Sequence, residues 1–452
     1  MSVPTFDGNK AFAHLRALAQ EIGPRPAGSE GERQAGRYLA DRFREIGLDT
    51  RVDAFPIARH SQTKSELEAL GPSSFRIQCI PQLYAADTPE KGVEGELAFL
   101  ETADPQYLQE HHRDKVWLIL GGLPLSLYGK AMALRPRAII AVENELWVLP
   151  KTSHLRLTYR ERYGSVPTVR IAFEDGLRLL KQGVKRVRIE TRSEEIPSES
   201  CNVIGELPGR GDGEEVAVVC AHLDSVLGVT GAGDNASGVS ILIELARVFA
   251  ARGSRRTLRF AAFGSEEIGL RGSVRYAREL ALQDKEERAR PEFHEAFDRT
   301  ALARHRLCVN LDMHGVTLGR NRATCMGPAD LTAAIRLLAA EMGPAFEAIQ
   351  EGIFSSDGMS LAAVGVPGVA FARTGGSSVV THSGADTIEY LDADHLAMTG
   401  RFIEIFLRRH VADALLFPFA REIPAAIVQK TREYFRERLV EILPPAEPAP
   451  KP

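Results

Sequence analysis

His222 and Asp224 follow a short apolar run, Val216-Ala217-Val218-Val219-Cys220, and Asp234 closes the glycine-rich loop behind them. Glu266 and Glu267 follow a second such run, Thr257 to Phe263, and Asp312 follows a third, Leu307 to Leu311. His382, with Asp386 four residues on, lies in the loop after a run that begins at Val366. Histidine and carboxylate side chains without a thiolate suit Zn2+, and also Mn2+ or Co2+. Five ligands with one shared carboxylate are the inventory of a two-metal site, where paired ions activate water and polarise a carbonyl. An isolated His or Glu-Glu pair usually belongs to a surface or a core, so the reading rests on the joint pattern.

Apolar β-rich runs that end in these residues predict a largely parallel sheet with its ligands at the carboxyl edge of the strands. After Asp234, the spacing of Val239, Leu242, Ile243, Ala246 and Phe249 predicts a helix with one apolar face. Near the start, Phe12, Leu15, Leu18 and Ile22 mark a helix stopped by Gly23-Pro24. Ser29 to Glu32 reads as a capping box opening a second helix, with Gly47 at its C-cap and an alternating strand from Leu48 to Phe55.

Between residues 60 and 195 the texture changes to short β-rich runs with two helix-like pieces and no cluster of metal-type side chains. His111 and His112 are adjacent, so their side chains point apart and do not read as a shared site. Strands alternating with helices elsewhere predict an α/β three-layer sandwich with a mixed, largely parallel sheet and an inserted smaller β/α domain. The expected division is 1-59 and 196-416 for the catalytic domain, 60-195 for the insert, and 417-452 for a C-terminal helix and a disordered Pro/Ala tail. The charged stretch from Gln283 to Arg306 predicts a solvated helical excursion that serves as a lid or as the subunit contact of a homo-oligomer.

A net charge of −4 gives no reason to expect nucleic acid as a partner. No run approaches the ~18 apolar residues of a membrane span. The start lacks the basic-then-apolar layout of a secretory signal. The five scattered cysteines, two of them in apolar runs, predict buried thiols and a cytoplasmic location.

The stretches HLDSVLGVTGAGDNASG, SEEIGLRGS, NLDMHG and THSGADT, with IGPRPAGSEGE near the start, resemble the M28 family of dinuclear zinc aminopeptidases. GKAMALRPRAIIAVEN and SVPTVRIAFEDGLRLL, inside the insert, more weakly resemble a protease-associated domain. The resemblance implies the zinc-exopeptidase fold, two Zn2+ ions, and peptide substrates with a free N-terminus. It implies that Asp234 bridges the metals, that His222 and Asp312 complete one, and that Glu267 and His382 complete the other. Glu266 is implied as the general base for the attacking water, and Asp224 as the acceptor that sets the His222 tautomer. A cis peptide after Asp234 is also implied. Thr381 stands where some members have a tyrosine that bonds the oxyanion, which leaves that donor open.

Three alternatives remain at this point: a glutaminyl cyclase with one metal, a carboxypeptidase using Arg373 for the substrate carboxylate, and a metal-stabilised peptide-binding protein. Retention of Glu266 beside a ligand weighs against the last, and the full ligand set against the first. Among the other candidates, Asp386 reads as a loop brace or a metal-side residue. His314 reads as a pocket wall or surface residue, His294, His305 and His395 read as solvated, and the role of Asp357 is open.

Overall fold

In the computed structural model, residues 4–211, 214–291, 293–294, 298–375 and 379–437 are described, without the Gln62 side chain. The expected Pro/Ala tail lies outside these residues. The first strands are β1 (Asp49–Leu70), β2 (Phe75–Ile77), β3 (Ile80–Pro81), β4 (Val93–Phe99), β5 (Val116–Leu120), β6 (Ala138–Val142), β7 (Thr168–Ile171) and β8 (Arg186–Leu207). There follow β9 (Val216–His222), β10 (Thr257–Phe263), β11 (His305–Leu311), β12 (Arg320–Met326), β13 (Phe346–Ile349) and β14 (Gly368–Thr374). The sheet runs in the order β13-β12-β14-β11-β9-β10-β8-β4-β5-β6-β7-β3, with β1 paired to β8.

β9, β10, β11 and β14 are the parallel heart of this mixed sheet: β9 pairs with β10 and β11, and β11 with β14. Their residues alternate between two cores. Ala217, Val219 and Ala221 face one together with helices Glu30–Ile46, Ser237–Arg252, Ala329–Met342 and Ala393–Leu407. Val218 and Cys220 face the other with helices Arg271–Arg288, Gly358–Ala363 and Ala425–Arg436. A strand covered by helices on both sides has no polar face, which is why β9 reads as an unbroken apolar run.

The inserted region builds its own cores. Their buried members run from Leu67 to Ile189, around the parallel strands β4 to β7. β1 and β8 form one antiparallel ladder from Asp49↔Glu206 to Leu70↔Arg186, so the boundaries expected near 59 and 195 fall inside a continuous two-stranded ribbon. The ribbon's middle, PIARHSQTKSE, carries no clear alternation, because little of it packs on a core. In the charged stretch expected to be a helical excursion, one helix ends at Arg288 and a short one, Ala301–Arg304, precedes β11.

His305 is not solvated. It opens β11 fully buried, with Nδ1 at 2.6 Å from the Ala301 carbonyl and Nε2 at 3.0 Å from the Tyr276 hydroxyl. Burial first, then Arg259, pushes its pKa down to about 3. A histidine whose folded pKa lies below its unfolded value gains a proton on unfolding, so it favours the native state at neutral pH and costs stability as pH falls below ~6.5. Relative to His305→Gln, the wild type is expected to lose about 1.4 kcal/mol of unfolding free energy per pH unit below ~6.5. Urea unfolding at pH 7.5 and 5.5 measures the difference.

Candidate metal centre

The parallel pairing of β9, β10, β11 and β14 brings their carboxyl ends to one edge of the sheet, and each delivers part of the site. His222 is the last residue of β9, Glu266 and Glu267 follow β10, Asp312 follows β11, and His382 lies on the loop after β14. Asp234 arrives from a single turn, Ala232–Ala236, ahead of helix Ser237–Arg252, and its peptide bond to Asn235 is cis.

The donor atoms fall into two groups about Asp234. His222 Nε2 lies 3.0 Å from Asp234 Oδ1 and 3.5 Å from Asp312 Oδ1. His382 Nε2 lies 3.2 Å from Asp234 Oδ2 and 3.2 Å from Glu267 Oε2. Atoms of His222, Asp234 and Glu267 all lie within 4.8 Å of one another. Asp312 Oδ1 and Glu267 Oε1 are buried without a hydrogen-bond donor. Such oxygens are costly unless a cation takes them up, so the donor set fits divalent metal.

Electrostatics point the same way. Burial alone lowers the His222 and His382 imidazoles. The carboxylates of Glu266, Asp312 and Asp234 around the first, and of Glu267 and Asp234 around the second, outweigh it and hold both well above the ordinary range. Burial raises Asp234, but the two imidazoles hold it below the usual carboxylate range. Glu266 is pushed well above its ordinary value, first by burial and then by Glu267, Asp357 and Asp312, against His222. Asp357, left open by the sequence, is buried behind the ligands, and burial brings it to about 7.

Backbone clamps hold the acidic segments in place. Asp224 accepts from the Glu266 amide at 2.9 Å and the Glu267 amide at 3.1 Å. Its expected bond to the His222 ring is absent: the carboxylate stands 3.8 Å away, and Nδ1 donates instead to the Asp224 carbonyl at 3.1 Å. A carbonyl only accepts, so Nδ1 carries the proton and Nε2 is left to face Asp234 and Asp312. Asp386 accepts from the Gly233 and Asp234 amides at 2.8 and 3.1 Å, which makes it the loop brace. Ser265, Leu270, Met313 and His382 all sit at positive φ, between 57° and 65°. Such conformations cost energy and persist where surrounding structure enforces them, as at a binding site.

Two buried residues of the N-terminal segment act here, although local spacing signals only a helix cap. Arg25 donates to the carbonyls of Leu223, Thr230 and Gly231, strapping the loop between His222 and Asp234. Ser29 caps its helix as expected, accepting from the Glu32 amide at 3.2 Å. The Glu32 carboxylate goes elsewhere: it accepts from Gly28 N at 2.6 Å, Ser200 Oγ at 2.7 Å and Ser265 N at 3.2 Å. The amides of Ser265, Glu266 and Glu267 are thus taken in succession by Glu32 and the two oxygens of Asp224. In Glu32→Gln an amide NH2 replaces one acceptor, so one of these donors loses its partner. The expected result is a fall in kcat of about tenfold, roughly 1.4 kcal/mol, with KM and metal content unchanged.

Other expectations are corrected. His314 is neither pocket wall nor surface; it is fully buried and outside the cavity lining. Arg373 is also buried, donating to the carbonyls of Val316 and Thr317 and to Asn321 Oδ1, and cannot receive a substrate carboxylate. His395 is half-buried against Asp392 rather than solvated.

A cavity of about 540 Å³ opens over the ligands. Its walls include Thr381, Tyr434 from the C-terminal helix, and Tyr84, His154 and Arg156 from the insert. The insert also touches the ligand loops directly. Thr152 N donates to the His382 carbonyl at 2.8 Å, Thr152 Oγ1 to the Leu227 carbonyl at 3.2 Å, and Lys151 bridges to Ser383.

Peptidase family M28 matches residues 202–406, which contain every candidate ligand. Aminopeptidase YwaD of Bacillus subtilis is 31% identical over 286 residues, 62% of this chain and 59% of that protein. Carboxypeptidase Q of Homo sapiens is 24% identical over 291 residues, 59% of this chain and 61% of that one. The chain thus aligns with about three-fifths of each of these relatives. The structure of BSAP, a zinc aminopeptidase from Bacillus subtilis, is similar with a TM-score of 0.71 and 25% identity, over 94% of this chain and 100% of that one. Among the described residues no helix is long and apolar enough to cross a membrane. The segment that carries the candidate ligands thus matches peptidase family M28, and the mixed sheet between two helix layers is the fold it shares with that zinc aminopeptidase structure.

Proposed function

We propose that the protein is a dinuclear zinc aminopeptidase that removes N-terminal residues from peptides. The observation that carries this reading is that the two oxygens of Asp234 face different histidine and carboxylate pairs, His222 with Asp312 and His382 with Glu267. That is the arrangement of a bridging carboxylate between two ions. Mn2+ or Co2+ would suit the same donors. Zinc held there supplies a Lewis acid that lowers the pKa of water and polarises the scissile carbonyl.

Glu266 lines the cavity beside Glu267, and its amide is pinned by Asp224. In this reading its carboxylate takes a proton from the attacking water and returns it to the leaving amine. The acidic ligand set also favours a cationic substrate terminus, so a free α-amine anchors the peptide. The insert, read as protease-associated-like, walls one side of the cavity and selects substrates. The absence of disulfides among the five cysteines suits a reducing cytoplasm.

Hydrolysis of aminoacyl-p-nitroanilides, their N-acetylated forms and C-terminally blocked and free dipeptides tests the reading. Cleavage that requires the free amine is expected. Pyroglutamate formation with one metal would move the protein to the cyclases. Cleavage of N-acetylated peptides from the C-terminus would make it a carboxypeptidase. Full metal without turnover would leave a peptide-binding role.

A further inference from the structure

A second cavity, of about 910 Å³, runs between helix Arg271–Arg288 and the β1/β8 ribbon. It adjoins the metal cavity, and four residues line both: Tyr84, Leu157, Ile268 and Arg271. The ribbon side carries Phe55, Pro56, Ile57, Ala58 and Pro197, with one polar pair, His60 and Glu195, whose Nε2 and Oε1 lie 3.6 Å apart. The helix side carries arginines one turn apart. Arg275 is occupied, with Glu279 at 2.8 Å and the Phe55 ring beneath its guanidinium. Arg271 is exposed at the junction of the two cavities, has no acidic partner among the described residues, and donates only a long bond, 3.4 Å, to the Ile268 carbonyl.

We infer that this groove holds the part of the peptide substrate beyond the scissile bond, and that Arg271 binds a carboxylate there. The inference rests on the aminopeptidase reading. A peptide whose amine lies at the acidic metal ligands must send its remaining chain out of the cavity, and the shared lining makes the groove a direct exit. The apolar part of the ribbon wall, Phe55 to Ala58, suits side chains, and the turn from Glu266 to Arg271, closed by Leu270 N to Glu266 O at 2.8 Å and Arg271 N to Ser265 O at 3.0 Å, ties the guanidinium to the base-bearing loop. A planar guanidinium with unspent donors pairs with carboxylate through two parallel hydrogen bonds. The carboxylate has two possible sources, the peptide's C-terminus or an acidic side chain.

Steady-state kinetics of the zinc-loaded wild type and of Arg271→Ala and Arg271→Lys separate them, using Leu-Ala-Gly as acid and amide, and Leu-Ala-Glu amide against Leu-Ala-Gln amide. The expected wild type prefers one member of at least one pair by about tenfold in kcat/KM, mostly through KM. That preference collapses in Arg271→Ala and partly returns in Arg271→Lys. Preference within the first pair identifies the terminus, and within the second the side chain. Hydrolysis of all four peptides with no preference in the wild type, or with a preference that survives Arg271→Ala, overturns the assignment and leaves the aminopeptidase reading standing. Failure of the wild type to cleave leucine p-nitroanilide as well as the peptides overturns both.

Discussion

Glu266→Gln is expected to lower kcat by about 10²–10⁴-fold while metal content and KM stay near the wild-type values. The side chain lines the cavity beside the ligand atoms but makes none of the short contacts that group His222, Asp234, Asp312, Glu267 and His382. Glutamine preserves shape and removes the basic oxygen, so it isolates proton transfer from packing. Its amide remains anchored on Asp224, which keeps the neighbouring Glu267 in place. The loss corresponds to roughly 3–5 kcal/mol of transition-state stabilisation. Metal analysis of the purified variant together with its kcat is the check. A variant that loses metal in proportion to activity would make Glu266 a ligand instead of a base.

Chelation is expected to abolish turnover and to lower the thermal midpoint by about 8 °C, with both restored by zinc. The site gathers Asp234, Glu266, Glu267 and Asp312 with Asp224 and Asp357 close behind, against two imidazoles. Each carboxylate is costly to bury without a cation. Binding to the native state alone contributes about 4 kcal/mol for each site at a thousandfold excess over Kd, and a chain of this length converts that into a few degrees. Differential scanning fluorimetry with and without chelator, followed by zinc add-back, measures it. An unchanged midpoint with activity intact would remove metal from the account.

Most of the candidate ligand segments are legible in sequence because they follow apolar strands, and parallel strands put such ends on one edge; Asp234 is marked instead by its glycine-rich loop before a helix. The supporting shell is not. Asp224 sits where a carboxylate could reach either the His222 ring or the next loop, and only the pairing of β9 with β10 decides for the Glu266 and Glu267 amides. Glu32 satisfies a local capping pattern, yet its carboxylate bonds Ser200 and Ser265, which no spacing rule connects to it. His305 looks solvated among charged neighbours, because the polarity of Ala301 to Arg306 hides that β11 begins there and turns the ring toward Tyr276. The union of insert and site rests on Thr152, an ordinary loop residue by sequence, whose amide meets the His382 carbonyl across more than two hundred positions.

Zinc-edge anomalous diffraction from crystals of the zinc-loaded protein tests the central claim most directly. Two peaks about 3.5–4 Å apart are expected, one against His222 and Asp312, the other against Glu267 and His382, with one oxygen of Asp234 toward each. A single peak, or two peaks that do not share Asp234, would contradict the account.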